Sequence, residues 1–229
     1  MSEEMKEYKI KLIETIQFGN YYVFDFEKPE GLNFTEGQYG IFMHVDKQIE
    51  GRKMRAFSMA SSMNEGYLRI ATRIIEEPSD FKLKMKELKI GEVMSYTGPT
   101  GKFTLEESSS AVFIAGGIGI TPIRGLLNGI LYNKIDIDVS LIYSENDGVY
   151  PFKQELDTIK MKSYYQTTPS ETIDVVKQVA NEKGNDGYYY ISGSPGFVNG
   201  IQNLLLDEGI FKEQIKFDLF SGYETIIKI

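Results

Sequence analysis

Two short stretches of this chain carry residue types that could bind and hold a reactive ligand. Arg55, Ala56, Phe57 and Ser58, inside RAFSMASS, place a guanidinium, an aromatic ring and a hydroxyl within four residues. A guanidinium grips phosphate through two parallel hydrogen bonds, an aromatic ring stacks on a planar heterocycle, and a hydroxyl bonds a ring nitrogen. On an extended strand Arg55 and Phe57 share one side, and Ser58 points to the other unless the backbone bends. An ordinary edge strand fits the same pattern. The second stretch is AGGIGITP, Ala115–Pro122, which follows an apolar run and opens a helical pattern. Gly116, Gly117 and Gly119 permit a tight turn and close approach to a ligand. Thr121 and Pro122 suit the N-cap and first turn of a helix whose N-terminus would attract phosphate. Pro122 stands where the fingerprint G-x-G-x-x-G has its last glycine, so a standard Rossmann dehydrogenase is disfavoured, and a plain strand-to-helix turn stays open.

Composition narrows the chemistry. The 229 residues include no cysteine, which excludes disulfides, thiolate zinc sites, cysteine-ligated iron–sulfur clusters and cysteine nucleophiles within this chain. Redox chemistry here would need a bound organic cofactor. The single histidine, His44, rules out a multi-histidine metal site, and its place in GQYGIFMHV reads as a strand position with a structural or solvent-facing role. A net charge of −8 argues against general nucleic-acid binding while leaving room for a local basic patch. No apolar run approaches the roughly 20 residues needed to span a bilayer, and MSEEMKEYKI does not read as a secretory signal. A cytoplasmic protein is the expectation.

The elements that must position the two stretches fall into halves. Short strands are expected at Tyr8–Phe18, Tyr21–Glu27, Gln38–Val45, Met54–Ala60, Tyr67–Ile75 and Glu92–Thr97, several alternating in the manner of strands buried on one face. Six such strands suggest a closed antiparallel barrel, with Ser79–Leu88 as one short helix capping it. From Ala111 the apolar runs AVFIA, DVSLIYS, SYYQT, YYYIS and IKFDL alternate with helical segments at Thr121–Tyr132, Pro151–Ile159, Glu171–Asn181 and Pro195–Glu208. That alternation implies a five-stranded parallel sheet with crossover helices. The join belongs near Leu105–Ser110, giving domains 1–108 and 109–229.

Taken in order, RAFS, GPTGKF, AGGIGITP, YYYISGSPG and a closing FSGY resemble the ferredoxin-NADP reductase superfamily, especially its compact flavodoxin-reductase-like and flavin-reductase-like members. The resemblance runs from about Tyr8 to Tyr223 and implies a six-stranded Greek-key barrel binding FAD, followed by an α/β domain binding NADH or NADPH. It makes Arg55 a contact of the flavin phosphate, lays Phe57 against the isoalloxazine, and brings Ser58 near N5, with Ala56 between them. Ala71, Thr72 and Arg73 would line the ribityl and phosphate portion. Ser79, Asp80, Phe81 and Lys82 fall where the family starts a phosphate-binding helix, while Lys84, Lys86 and Lys89 read as a solvated face.

For the nicotinamide nucleotide the resemblance implies Gly116, Gly117, Gly119 and Thr121 on one strand end, and Gly193, Ser194 and Pro195 on another. Ser192 stands where many relatives carry cysteine. Glu145 ends the second parallel strand, where a carboxylate would repel a 2′-phosphate and accept from ribose hydroxyls, which favours NADH. Phe220 is the candidate lid over the flavin, and Glu224–Ile229 are read as packing or dimer contacts. The expected enzyme moves hydride from NAD(P)H to FAD, with Ser58 and Thr121 framing the reacting atoms and Phe220 moving aside. It then delivers electrons to an external acceptor: a ferredoxin, a flavodoxin, a partner subunit or free flavin. A relay subunit active only inside a redox complex is the alternative, and an ordinary dehydrogenase without flavin a further one.

Overall fold

Alternation gives residues 8–12 one wet face: Ile10 and Leu12 are buried, Lys9 and Lys11 exposed. In this computed structural model, which describes residues 6–220, they begin the strand β1 (Glu7–Phe18). Its first half, Glu7–Lys11, pairs with β6 (Val93–Thr100); from Leu12 onward it pairs with β2 (Tyr21–Glu27), after a register shift between Leu12 and Glu14. A bulge of this kind bends a strand and lets it serve two sheets. With β3 (Tyr39–His44), β4 (Met54–Ser58) and β5 (Tyr67–Arg73) the antiparallel order is β4-β3-β6-β1-β2-β5. Insertion of β6 between β3 and β1 makes the Greek key. The outer strands meet through the Met59–Ile70 bridge and the Ala60 N–H, which donates to the Arg69 carbonyl at 2.7 Å.

The interior is aromatic. Phe42 lies edge-to-face with Phe57 at 5.5 Å and with Tyr96 at 5.3 Å, and tilted against Phe26 at 6.1 Å. A short helix, α1 (Asp80–Lys86), follows β5 and turns Phe81 and Met85 into this core.

The second unit holds β7 (Ser110–Gly116), β8 (Asp138–Ser144), β9 (Lys162–Gln166), β10 (Gly187–Gly193) and β11 (Ile215–Leu219), all parallel, in the order β11-β10-β7-β8-β9. The connecting helices are α2 (Ile120–Tyr132), α3 (Lys153–Leu156), α4 (Pro169–Lys183) and α5 (Pro195–Asp207). Strands covered on both faces need no alternation, and every residue of β7 before Gly116 is buried.

Three helices differ from expectation. A 3-10 turn over Gly117–Gly119 starts α2 at Ile120, so Thr121 is inside the helix and not its N-cap; its hydroxyl donates to the Ile118 carbonyl at 2.7 Å. Of the helix expected over Pro151–Ile159, α3 keeps one turn, because Phe152 adopts a left-handed backbone (φ 66°) just before it. Helix α4 begins earlier, at Pro169, since Thr168 and Glu171 form a reciprocal capping box.

The division into units also differs from 1–108 and 109–229. One unit runs to Thr104 and takes in Arg124–Asn133; the other comprises Leu105–Ile123 and the chain from Lys134 on. Side-chain chemistry explains the transfer of Arg124–Asn133. The Arg124 guanidinium donates to the Ala60 carbonyl at 2.7 Å and to both Glu65 oxygens at 3.1 and 2.9 Å. Burial alone would raise the Glu65 pKa, but the Arg124 hydrogen bonds and charge outweigh it and hold the carboxylate at about 2. Gly125 lets the helix approach the Met59 and Ser61 carbonyls, where an added Cβ would lie 3.0 and 3.1 Å away.

Candidate functional site

In the first unit three cations from three elements come together. Arg55 is on β4, Arg73 ends β5, and Lys82 lies in the first turn of α1. Barrel closure brings β4 beside β5, and the short link from β5 brings α1 to the same place. The Lys82 ammonium donates to the Arg73 carbonyl at 2.9 Å. Burial, then the charges of Arg55 and Arg73, push the Lys82 pKa down to about 8. Arg55 donates to the carbonyls of Arg52 at 2.7 Å and Met54 at 3.0 Å, and its guanidinium stands 5.3 Å from the Phe81 ring centre. Burial and the neighbouring Arg52 lower its pKa as well. On the same ring lies His44, edge-to-face at 4.7 Å, with Nε2 3.1 Å from the Phe81 carbonyl oxygen.

The other residues expected around a flavin are distributed as follows. Ser58, Ala71 and Thr72 are buried on the paired strands, and Ala56 is exposed. Arg55 and Phe57 do share a side, both lying against Phe81, but the Phe57 ring packs into the barrel core and only 9% of the residue is exposed. The Phe81 residue is 0% exposed, because with Met85 and Leu88 its side chain forms the inward stripe of its segment. Ser79 makes no side-chain cap, and Asp80 accepts from the Glu50 N–H at 2.8 Å. Lys84 pairs with Glu87 at 3.0 Å, and Lys86 lies over the Tyr22 ring.

In the second unit the glycine-rich ends of β7 and β10 adjoin, Ser192 pairing with Ala115 one residue before each motif. A Cβ on Gly116 would sit 2.7 Å from the Phe197 ring, and one on Gly119 would sit 2.0 Å from the Ser192 carbonyl oxygen. Gly117 has a φ of 54°, in the left-handed region that glycine enters without strain. Ser194 caps α5 by accepting from the Phe197 N–H, with Pro195 in the first turn. The Phe220 N–H donates to the Gly193 carbonyl at 2.9 Å, so the candidate lid residue starts beside the second glycine motif; Ser221–Tyr223 and Glu224–Ile229 lie outside the described residues. Glu145 is 5% exposed, with its N–H on the Gln166 carbonyl at 2.9 Å, and so is no solvated loop residue.

Sequence reasoning missed Phe197, the ring against which Gly116 is fitted; nothing in the sequence links positions 81 residues apart. It also missed the partly buried ion pair of Arg124 and Glu65. The Ser192 hydroxyl, 0% exposed, has no hydrogen-bond partner among the described residues. No group of acidic or histidine side chains able to hold a metal occurs among them either, nor any helix long and apolar enough to cross a membrane.

A Greek-key barrel followed by a five-stranded parallel α/β unit is the two-domain fold of the ferredoxin-NADP reductases. Residues 10–105 match the family model described as the oxidoreductase FAD-binding domain. A ferredoxin-NADP+ reductase from Plasmodium falciparum superposes with a TM-score of 0.79 at 19% identity, over 93% of this chain and 96% of that one. A flavohemoprotein of Halalkalibacterium halodurans is 23% identical over 87% of this chain and 56% of its own length. Methane monooxygenase component C of Methylosinus trichosporium is 29% identical over 68% of this chain and 44% of its own. The chain thus spans about half the length of these curated relatives. The fold is that of the ferredoxin-NADP reductases, and residues 10–105 are similar to the oxidoreductase FAD-binding domain.

Proposed function

We propose that this chain takes hydride from a nicotinamide nucleotide, NADH in preference to NADPH, onto bound FAD, and passes the electrons to an acceptor outside itself. The observation that carries this is the gathering of Arg55, Arg73 and Lys82. Three cations pressed together at a partly buried place repel one another, and a diphosphate relieves that repulsion, so the donor set fits the FAD diphosphate. FAD bound there supplies the two-electron acceptor for hydride and the store from which electrons leave. The chain's own part is positional. Arg55, Arg73 and Lys82 would hold the diphosphate, and Ser58 would offer a hydroxyl to the flavin ring. In the second unit the glycine ends of β7 and β10 admit the nucleotide backbone, with Thr121 setting the first turn of α2 by its bond to Ile118.

Extraction of the cofactor and its identification by mass, followed by anaerobic addition of NADH, tests the proposal. FAD in the extract and rapid bleaching support it; a colourless protein overturns it. A second reading, a relay subunit within a multi-protein redox complex, draws on the component character of the Methylosinus relative. Flavin that stays oxidised under NADH until a partner is added would select that reading.

The cation cluster sets a pH dependence. A bound diphosphate favours protonated Lys82 and so raises its pKa above the value of about 8 in the free protein. FAD affinity is therefore full below about pH 8 and falls as pH rises above it. Titrating the flavin-free protein across that range should show the fall in the parent and flatten it in Lys82→Met. A parent profile already flat would remove Lys82 from the site.

Coenzyme preference is assigned to Glu145. Replacing the buried carboxylate by Glu145→Gln removes its repulsion of a 2′-phosphate, and the ratio of kcat/KM for NADPH over NADH should rise about tenfold. An unchanged ratio would send the search for the selector elsewhere.

A further inference from the structure

We propose that His44 is a positioning residue for the flavin diphosphate, acting through the Phe81 carbonyl to hold Lys82 on the cation cluster. The inference rests on the flavin reading above. A carbonyl oxygen only accepts, so the 3.1 Å contact between His44 Nε2 and Phe81 requires the proton on Nε2. The Nδ1 atom is buried without a hydrogen-bond partner among the described residues, which disfavours a second ring proton there. Burial lowers the His44 pKa, the Phe81 carbonyl opposes this, and Lys47 adds to the lowering against Asp80 and Glu92.

The place of the contact gives it a consequence. Helix α1 has seven residues, its N-cap Ser79 makes no side-chain bond, and a helix this short is marginal by itself. Phe81 is the residue immediately before Lys82, and its ring stands between the His44 ring at 4.7 Å and the Arg55 guanidinium at 5.3 Å. His44 therefore fixes both the backbone and the ring of the residue to which two of the three cations are tied. Lys82 is half-buried with its ammonium on the Arg73 carbonyl, so a small rotation of this turn would withdraw the charge from the cluster. The mechanism otherwise leaves the chain's only histidine without a task.

A double-mutant cycle on FAD affinity tests this, with the flavin-free protein titrated and folding checked by thermal melting. His44→Phe keeps the aromatic packing and removes the donor; FAD should bind about tenfold more weakly, the effect of one lost hydrogen bond at a charged site. His44→Gln, whose amide can donate to the same carbonyl, should restore affinity to within about twofold of the parent. In the Lys82→Met background, His44→Phe should cost less than about twofold, because the two act in series. Should His44→Phe not fold, His44→Leu takes its place in the cycle. Additive losses with Lys82→Met, or full affinity without the donor, overturn the proposal. A parent protein that binds no FAD overturns the flavin reading itself, an outcome distinct from either.

Discussion

Replacing Arg55 and Arg73 together by alanine should strip the protein of its flavin. Each guanidinium is expected to make charge-assisted bonds to the diphosphate, worth about 1.5–3 kcal/mol apiece, so the pair should weaken FAD binding by roughly 10²–10⁴-fold. The purified double variant should be colourless, and its equilibrium titration should need correspondingly more FAD. Folding is expected to survive. Arg55 bonds only exposed backbone carbonyls of its own strand and the loop before it, and Arg73 lies over the Tyr21 ring at the end of β5. A folded double variant that still retains FAD through purification would refute the cluster as the diphosphate site and, with it, the argument for this function.

Gly119→Ala should be the most damaging methyl group that can be added to the second unit. Its Cβ would lie 2.0 Å from the Ser192 carbonyl oxygen and 2.4 Å from the carbonyl carbon, main-chain atoms of a strand paired on both sides. A flexible side chain could swing aside, but β10 cannot move without disturbing its pairing with β7 and β11. The expected cost is about 3 kcal/mol or more, at the upper end of overpacking effects, seen as a lower denaturation midpoint together with lost nucleotide binding. Gly196→Ala provides the contrast. That glycine belongs to the other glycine motif, lies in the first turn of α5 and has open space where a Cβ would go. Alanine there should be neutral or stabilise by up to about 1 kcal/mol. Equal melting behaviour of the two variants would contradict the close packing described at Gly119.

The two glycine positions also mark what the sequence could and could not disclose. Period-two alternation in the first half and buried runs after Ala111 were enough to expect an antiparallel barrel before a parallel sheet, since each pattern follows directly from which faces are covered. The spacing of RAFS and AGGIGITP was likewise visible. Phe81, Met85 and Leu88 recur at helical spacing and by that rule face inward, as their burial shows. Phe197 against Gly116, and Arg124 against Glu65, depend on chain crossings that no local pattern encodes. The start of α2 turned on a 3-10 turn, which three glycines permit but do not specify.

The assignment of Arg124–Asn133 to the first unit bears on how the chain folds. The barrel's last strand ends at Thr100, yet the Ala60 carbonyl and the Glu65 carboxylate find their guanidinium only at position 124. During synthesis a nascent chain released as far as Thr104 would carry the half-buried Glu65 carboxylate without the Arg124 counter-charge. The amino-terminal half must wait for some thirty further residues before it can mature, and a protease cut placed in the intervening loop would separate it from a piece of itself.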